Sequence, residues 1–499
     1  MFFHFGSIDD VSSGLPLAFL GGSIMVDSGN EHRSYLLACQ NRYPVYAALN
    51  GMRSLLLVRD DDHVREYQSR LSAVARHVKT IERFTGRLLD LRVPEPLFVG
   101  YDIDSPEVCL RPCQRFLQQI RDPMVINAGV LGGIHLNQLT PTSHRLVTQF
   151  YDLLRDHGID SYFRRNLYSR AAQLAIRWHE KTRYVELLSA YSGPPLPPHV
   201  PTAMVASSRL QGMSWVQFLA LVRGQIGSTT ETRFFVKSAV DSAGEASAVF
   251  DRENFHQKRT ELLEELVQKV RDKGRADREV YLLVQPCIER VVSPCSLPSS
   301  VGFTYFIHDS DHLERVAIGG HLYEDPDRSV FMGSFISNAL TREAVESVGE
   351  QKLAALFRQF ADQGIRGPIN LDAVRNARGE YVFIYDCNPR LPGVFPALVV
   401  GQALERASLN AESLFTLGYR GRLVYPDLVA KLKHLEGLDL LYTRSRQRGV
   451  FLLPSLVRVD SFDLILLNMG VAEVQRVLDS GWIHELSDGG QNELQEVFL

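Results

Sequence analysis

Three oxygen-bearing side chains stand near the end of one apolar pair of segments in this 499-residue chain. In LDAVRNARGEYVFIYDCNP, Asp372 lies on the first segment, and Asp386 and Asn388 lie on the second with one residue between them. Successive side chains of a strand point to opposite faces, so Asp386 and Asn388 share one. Pairing across the NARGE turn brings Asp372 to that face too. Two carboxylates and an amide oxygen form a hard-oxygen site, which beside phosphates favours Mg2+. A second reading stays open here: the three residues cap a strand end and a turn. Cys387, between Asp386 and Asn388, falls on the opposite face and reads as packing rather than as a nucleophile.

The elements that must position these residues are legible as alternating patterns. TRFFVKSAV (232–240) reads as a strand ending in Lys237, with a turn containing Gly244 after it. REVYLLVQPCIE (278–289) is a buried strand running into Pro286. VGFTYFIHDS and LERVAIGGHLY have strand character, and TREAVESVGEQKLAALFRQFADQG reads as one helix. HDSDH (308–312) looks metal-like but reads as a charged turn between two strands. YSGPPLPPHVP (191–201), the most proline-dense stretch, stops a helix and forces an extended connector, so a boundary falls near it. Upstream, SLLLV, PLFVG and PMVINAGVLGG alternate with the helical REYQSRLSAVARHVKTIERF, as in an α/β layer. Gly21-Gly22 and Gly132-Gly133 read as turns, and no GxGxxG or GxxxxGK[ST] fingerprint is present. Beyond 421 the strand FLLPSLVRV, the apolar FDLILLNMG and the helical AEVQRVLDSG form a smaller tail.

Composition narrows the function classes. With 45% hydrophobic and 22% charged residues and a formal net charge of -4, the chain has no bulk basic character for nucleic acid or a membrane surface. The six cysteines, at 39, 109, 113, 287, 295 and 387, form no CxxC pair, which fits reduced thiols in a cytoplasmic protein. No HExxH or GxSxG motif is present. The N-terminus lacks a basic signal region, and LPLAFLGGSIMV falls short of the ~20 residues that span a bilayer. The expectation is a soluble protein.

The order of Lys strand, PCIE-ending strand and acidic hairpin resembles the ATP-grasp superfamily, over about residues 176–425 and most specifically over 364–393. That resemblance implies an α/β and α+β fold: an N-terminal pre-ATP-grasp α/β domain (1–175), an ATP-grasp fold of two α+β subdomains (176–425) and a small C-terminal module (426–499). A nucleotide-covering subdomain would occupy about 230–290. It further implies ATP and Mg2+ as cofactors. Lys237 matches the phosphate-contacting lysine, with Lys181 a weaker phosphate candidate. Ser242 and Gly244 match the covering turn, and Gln285, Pro286, Cys287 and Ile288 match the adenine hinge. Asp372, Asp386 and Asn388 match the metal ligands, and Arg390 matches the arginine that meets the transferred phosphate or substrate carboxylate. His321, Arg328 and Ser334 fall where relatives place substrate-facing loops, although a solvated loop is the blander reading of each.

Departures from the family pattern are specific. Asp386 stands where glutamate is usual, Ser238 replaces the common proline after the lysine, and the covering loop has a single glycine. The layout, with GVFLLPSLVRVDSFDLILLNMG after the grasp, is similar to peptide ligases of the pheganomycin type. The function implied is an ATP-dependent carboxylate-amine ligase working through an acyl phosphate, acting on a small-molecule carboxylate and an amine or peptide in natural-product biosynthesis. A homodimer is the candidate assembly. Two rivals stand beside it: an inactive ATP-binding regulatory or scaffold protein, and a carboxylating ATP-grasp enzyme that uses bicarbonate.

Overall fold

The computed structural model describes residues 17–22, 45, 53–58, 61–86, 97–100, 125–127, 178, 180–227, 229–239, 247–272, 279–288, 299–307, 309–323, 331–365, 367–388, 394–409, 411–417, 423–424, 428–454, 461–470 and 473–474. Its first strands are β1 (Leu17–Gly22), β2 (Arg53–Val58), β3 (Leu97–Gly100) and β4 (Val125–Asn127), hydrogen-bonded in the order β3-β2-β1-β4. All three pairings are parallel, as the alternating α/β pattern predicts. Gly21 and Gly22 lie within β1, opposite Leu56 and Leu57, and do not form the expected turn. Gly132-Gly133 lies outside the described residues.

A small antiparallel sheet follows, built from β5 (Ala203–Ala206), β6 (Phe234–Ser238), β7 (Ser247–Phe250) and β8 (Tyr281–Pro286) in the order β5-β8-β6-β7. Period-2 alternation divides its faces. Phe234, Val236, Leu282 and Val284 join one core with Phe218 and Val222 of the helix Trp215–Ile226 and Leu262 and Leu266 of the helix Phe255–Asp272. The other face carries Lys237, Leu283 and Gln285. This unit takes in β5 and the helix at 215–226, upstream of the stretch 230–290 expected for the covering part.

The large sheet runs β13-β12-β9-β10-β11-β14-β17-β15, with β16 on β17, and every pairing is antiparallel. Its strands are β9 (Ser300–Ile307), β10 (Leu313–Tyr323), β11 (Phe331–Ser337), β12 (Gly367–Arg375), β13 (Tyr381–Asn388), β14 (Ser413–Leu417), β15 (Leu423–Val424), β16 (Gly449–Pro454) and β17 (Ser461–Leu467). Val301, Phe303, Tyr305, Leu371, Ala373 and Phe335 point to one face and bury against the helices Asn338–Val348 and Glu350–Asp362, where Tyr305 stacks on Phe357 at 4.1 Å. The residues expected to do chemistry stand on the other face. FLLP and FDLILLN, read as a separate tail beyond 425, extend this sheet through the β14–β17 pairing. The helix Asp61–Thr85 buries Val74, Val78 and Ile81 in the same core.

One local feature differs from the sequence expectation. The single helix expected over 341–364 is two, because Gly349 adopts φ +92° and both ends the first helix and begins the second. Residues 309–312 of HDSDH form the charged turn expected, with Asp309 Oδ1 accepting from the Asp311 and His312 amides. The proline-rich connector is extended: Pro198 C=O accepts from the Phe383 amide and Val200 N–H donates to Phe383 C=O, so it runs along β13 before entering β5.

Candidate functional site

The acidic hairpin is in register as its pattern requires. Asp372 stands opposite Asp386 and Asn370 opposite Asn388, so NLD on β12 mirrors DCN on β13. Asn376 holds the turn, its Oδ1 accepting from the Arg378 and Glu380 amides. Asn388 Nδ2 donates to Asp386 Oδ1 at 3.3 Å. Cys387, opposite Leu371, is buried on the core face, and its enclosure raises the thiol's pKa, so it is no nucleophile.

Asn370 is a site residue that the sequence reading passed over. Its Nδ2 donates to Asp372 Oδ1 at 2.6 Å, and its Oδ1 accepts from Thr304 Oγ1 at 3.0 Å. The amide fills the space above Gly302, where an added Cβ would meet Asn370 Oδ1 at 2.4 Å. Period 2 from Asp372 would have found it, since residue 370 shares that face.

Two lysines reach the hairpin from outside the sheet. Lys237 Nζ, from the open face of β6, lies 3.5 Å from Asp386 Oδ2, and Lys181 Nζ lies 3.7 Å from the same oxygen. Both lysine side chains are over nine-tenths buried. Lys181 precedes the helix Thr182–Ser189, and its amide is tied to Ala239 C=O just beyond β6. Burial lowers the Lys237 pKa to about 8, with Asp386 opposing and Lys181 reinforcing that shift. Enclosure raises the Asp372 pKa, and the charge of Asp386 adds to the rise while His321 opposes it.

A bulge joins the two sheets. Between Asp372↔Asp386 and Ala373↔Phe383, Ile384 and Tyr385 are extra on β13, and Tyr385 sits at φ +53°. Such a conformation costs a bulky residue about 1 kcal/mol or more and needs surrounding support. The Tyr184 and His199 rings supply it, with centroids 5.0 Å and 5.1 Å from that of Tyr385. The bulge frees the Ile384 carbonyl to accept from Lys237 Nζ at 2.9 Å and Gln285 Nε2 at 3.1 Å. His199 Nδ1–H donates to Pro197 C=O at 2.7 Å, which leaves Nε2 to accept from the Tyr184 hydroxyl at 2.8 Å. Burial holds that imidazole neutral, its pKa lowered to about 4.

Gln285 is therefore a joint residue whose side chain also meets Thr202 Oγ1 at 2.9 Å. In the expected hinge, Cys287 N–H donates to Arg233 C=O at 3.0 Å and is turned into the sheet, while Pro286 has no N–H. His321 and Ser334 are strand residues on β10 and β11 rather than loop residues, and Ser334 is fully buried. Ser242, Gly244, Arg328 and Arg390 lie outside the described residues.

Among the described residues no group of three or more His, Cys, Asp or Glu side chains forms a metal cage by itself. Asp372, Asp386 and Asn388 nonetheless fit a hard cation. Two carboxylates face each other at paired positions, and their mutual repulsion is what a cation would relieve. Mg2+ is commonly held by one or two carboxylates plus phosphate oxygens and water. No helix among the described residues is long and apolar enough to cross a membrane.

No family model matches the chain, and no curated protein does. Among solved structures, it is similar to the ADP complex of purK, N5-carboxyaminoimidazole ribonucleotide synthetase, with a TM-score of 0.48 and 11% identity, over 95% of this chain and 98% of that one. The N5-carboxyaminoimidazole synthetase from Staphylococcus aureus complexed with ADP has a TM-score of 0.44 and 9% identity, over 94% and 96%. D-cycloserine synthetase DcsG has a TM-score of 0.36 and 16% identity, over 70% and 99%.

Proposed function

We propose that this chain is an ATP-grasp enzyme, an ATP-dependent carboxylate-amine ligase whose nucleotide sits between the small and large sheets. One observation carries the reading: two buried lysines, Lys181 and Lys237, converge from outside the large sheet on Asp386, beside Asp372 and Asn388. Burying two ammonium groups is costly, and both are spent at one point, where Lys181 and Lys237 face the Asp386 carboxylate. A polyanionic phosphate chain with its cation complements such a mixed cluster, its oxygens suiting the lysines and its cation the acid pair.

In this reading Lys181 and Lys237 bind phosphate oxygens as point charges. Asp372, Asp386 and Asn388 hold Mg2+, which when bound screens the charge that builds up as a carboxylate meets the terminal phosphate. Asn370 keeps the Asp372 carboxylate turned, and the bulge at Tyr385 keeps Asp386 and Lys237 in reach of each other. The amine then attacks the acyl carbon of the acyl phosphate, a C–N bond forms and inorganic phosphate leaves, so no side-chain nucleophile is required. The finer assignment, a peptide ligase resembling the pheganomycin type, rests on the resemblance of GVFLLPSLVRVDSFDLILLNMG after the grasp.

The test is phosphate release from ATP and Mg2+ with pooled acids and amines, followed by mass spectrometry of the products. A condensed product with loss of water and one phosphate per bond supports the ligase. ATP binding without any acid- or amine-stimulated release sinks it.

A further inference from the structure

The lysines and the acid pair meet at one atom. Asp386 Oδ2 lies 3.5 Å from Lys237 Nζ and 3.7 Å from Lys181 Nζ, so both ammonium groups address the same carboxylate oxygen. The other oxygen, Oδ1, accepts from Asn388 Nδ2 at 3.3 Å. On the facing strand, Asp372 Oδ1 accepts from Asn370 Nδ2 at 2.6 Å and lies 3.8 Å from His321 Nε2. The Asp386 side chain is 23% exposed, against 7% for Lys181 and 8% for Lys237. A small ion can therefore reach the carboxylate, while the two ammonium groups are enclosed beside it.

Charge decides what such an ion must bring with it. Lys181 and Lys237 balance Asp372 and Asp386 one for one. A divalent cation on Asp386 would share its oxygen with two ammonium groups, and in a largely buried cluster that repulsion is strong. The lysines are not free to swing clear. Lys237 Nζ is also held by the Ile384 carbonyl at 2.9 Å, and the Lys181 amide is tied to Ala239 C=O. A cation alone thus leaves the cluster with excess positive charge. A cation that arrives with a polyphosphate does not, because phosphate oxygens give the two lysines a second anion to face.

We propose that Lys181 and Lys237 close Asp386 to a free divalent cation, so that the cation enters only together with a polyphosphate. This rests on the ligase reading above and adds a condition on how that site fills. The same side chains then have effects of opposite sign: they favour the nucleotide and oppose the metal. Mn2+ serves as the probe. The chain is incubated with Mn2+, with and without AMP-PNP, and the manganese it retains on ultrafiltration is measured. Nucleotide affinity is read separately with mant-ATP.

Wild type is expected to hold Mn2+ at least fivefold more tightly with AMP-PNP than without it. Lys181→Met combined with Lys237→Met is expected to hold Mn2+ without nucleotide at least fivefold more tightly than wild type, while mant-ATP affinity falls at least tenfold. Gln285 Nε2 still bonds the Ile384 carbonyl in that variant. Adding Asp386→Asn should abolish the gain. Lys352→Met with Lys433→Met, the same charge change at exposed positions, should show none. If circular dichroism shows the double variant to be unfolded, Lys181→Met and Lys237→Met are measured singly, each with an expected gain of at least threefold. A smaller gain in the folded variants, a gain that survives Asp386→Asn, an equal gain in the remote pair, or equal retention by wild type with and without AMP-PNP overturns the proposal and leaves the ligase reading standing. A wild type that binds mant-ATP but holds no Mn2+ with AMP-PNP removes the metal assignment, and the proposal falls with it. A wild type that binds neither sinks the ligase reading itself.

Discussion

Gly302→Ala isolates the packing that orients the acid cluster. Gly302 is outside the left-handed region, so its need for glycine comes from space alone. The new Cβ would lie 2.4 Å from Asn370 Oδ1 and 3.1 Å from its Cγ and Nδ2, so the amide must retreat by about 1 Å to reach ordinary contact distance. It is held by Thr304 at 3.0 Å and Asp372 at 2.6 Å, and a shift of that size breaks both bonds. A neutral hydrogen bond contributes about 1 kcal/mol and one to a charged group about 1.5–3, so the expected loss of stability is about 2–4 kcal/mol. Denaturant midpoints of wild type, Gly302→Ala, Asn370→Ala and the double variant measure it. If displaced Asn370 is the cause, Gly302→Ala adds almost nothing once Asn370 is alanine, and the coupling equals the single-variant cost. Additive costs, or a single-variant cost below about 0.5 kcal/mol, refute the reasoning.

Other expectations concern the charges. Lys237→Ala should weaken mant-ATP binding at least tenfold, because one of two converging cations is gone; unchanged affinity removes Lys237 from the site. Asp386→Ala and Asn388→Ala should each abolish acid-stimulated phosphate release; Asn388→Ala should keep the melting temperature within a few degrees, whereas Asp386→Ala should lower it because it removes the carboxylate that two buried lysines face, and near-wild-type release in both would sink the metal assignment. His199 takes its proton at a pKa of about 4 in the fold against 6.5 unfolded, so between those values the unfolded chain binds more protons. Its contribution to stability is therefore present above pH 6.5 and declines as pH falls toward 4, by roughly 3 kcal/mol in all. His199→Phe should flatten the loss of denaturation midpoint between pH 7 and 5, and an unchanged slope would assign the acid sensitivity elsewhere.

Much of this architecture was readable in residue order. Short apolar runs bounded by turns marked β6, β8, β9, β10, β12 and β13, because a strand buried in a sheet core must be apolar over most of its length. The shared face of Asp372, Asp386 and Asn388 followed from period-2 alternation. Gly349 escaped that reading, since a glycine inside a periodic stretch is compatible with one helix or two until its φ is set by packing. The tail at 449–467 also escaped it, because alternation shows that a strand exists but not which strand it pairs with.

Local pattern decided which residues are strand, turn and acid, since each depends only on neighbours in the chain. Tertiary structure alone decided that Lys181, Lys237 and Asp386 meet, because residues 149 and more apart in sequence are brought together by the docking of two sheets. It also decided that Tyr385 would be forced into a left-handed bulge, which the surrounding rings hold and which turns the Ile384 carbonyl toward Lys237 and Gln285. The mirrored NLD and DCN were visible in the sequence as separate words. Strand pairing set Asp372 opposite Asp386 and Asn370 opposite Asn388, with Gly302 leaving room for the Asn370 amide, and so joined them into one site.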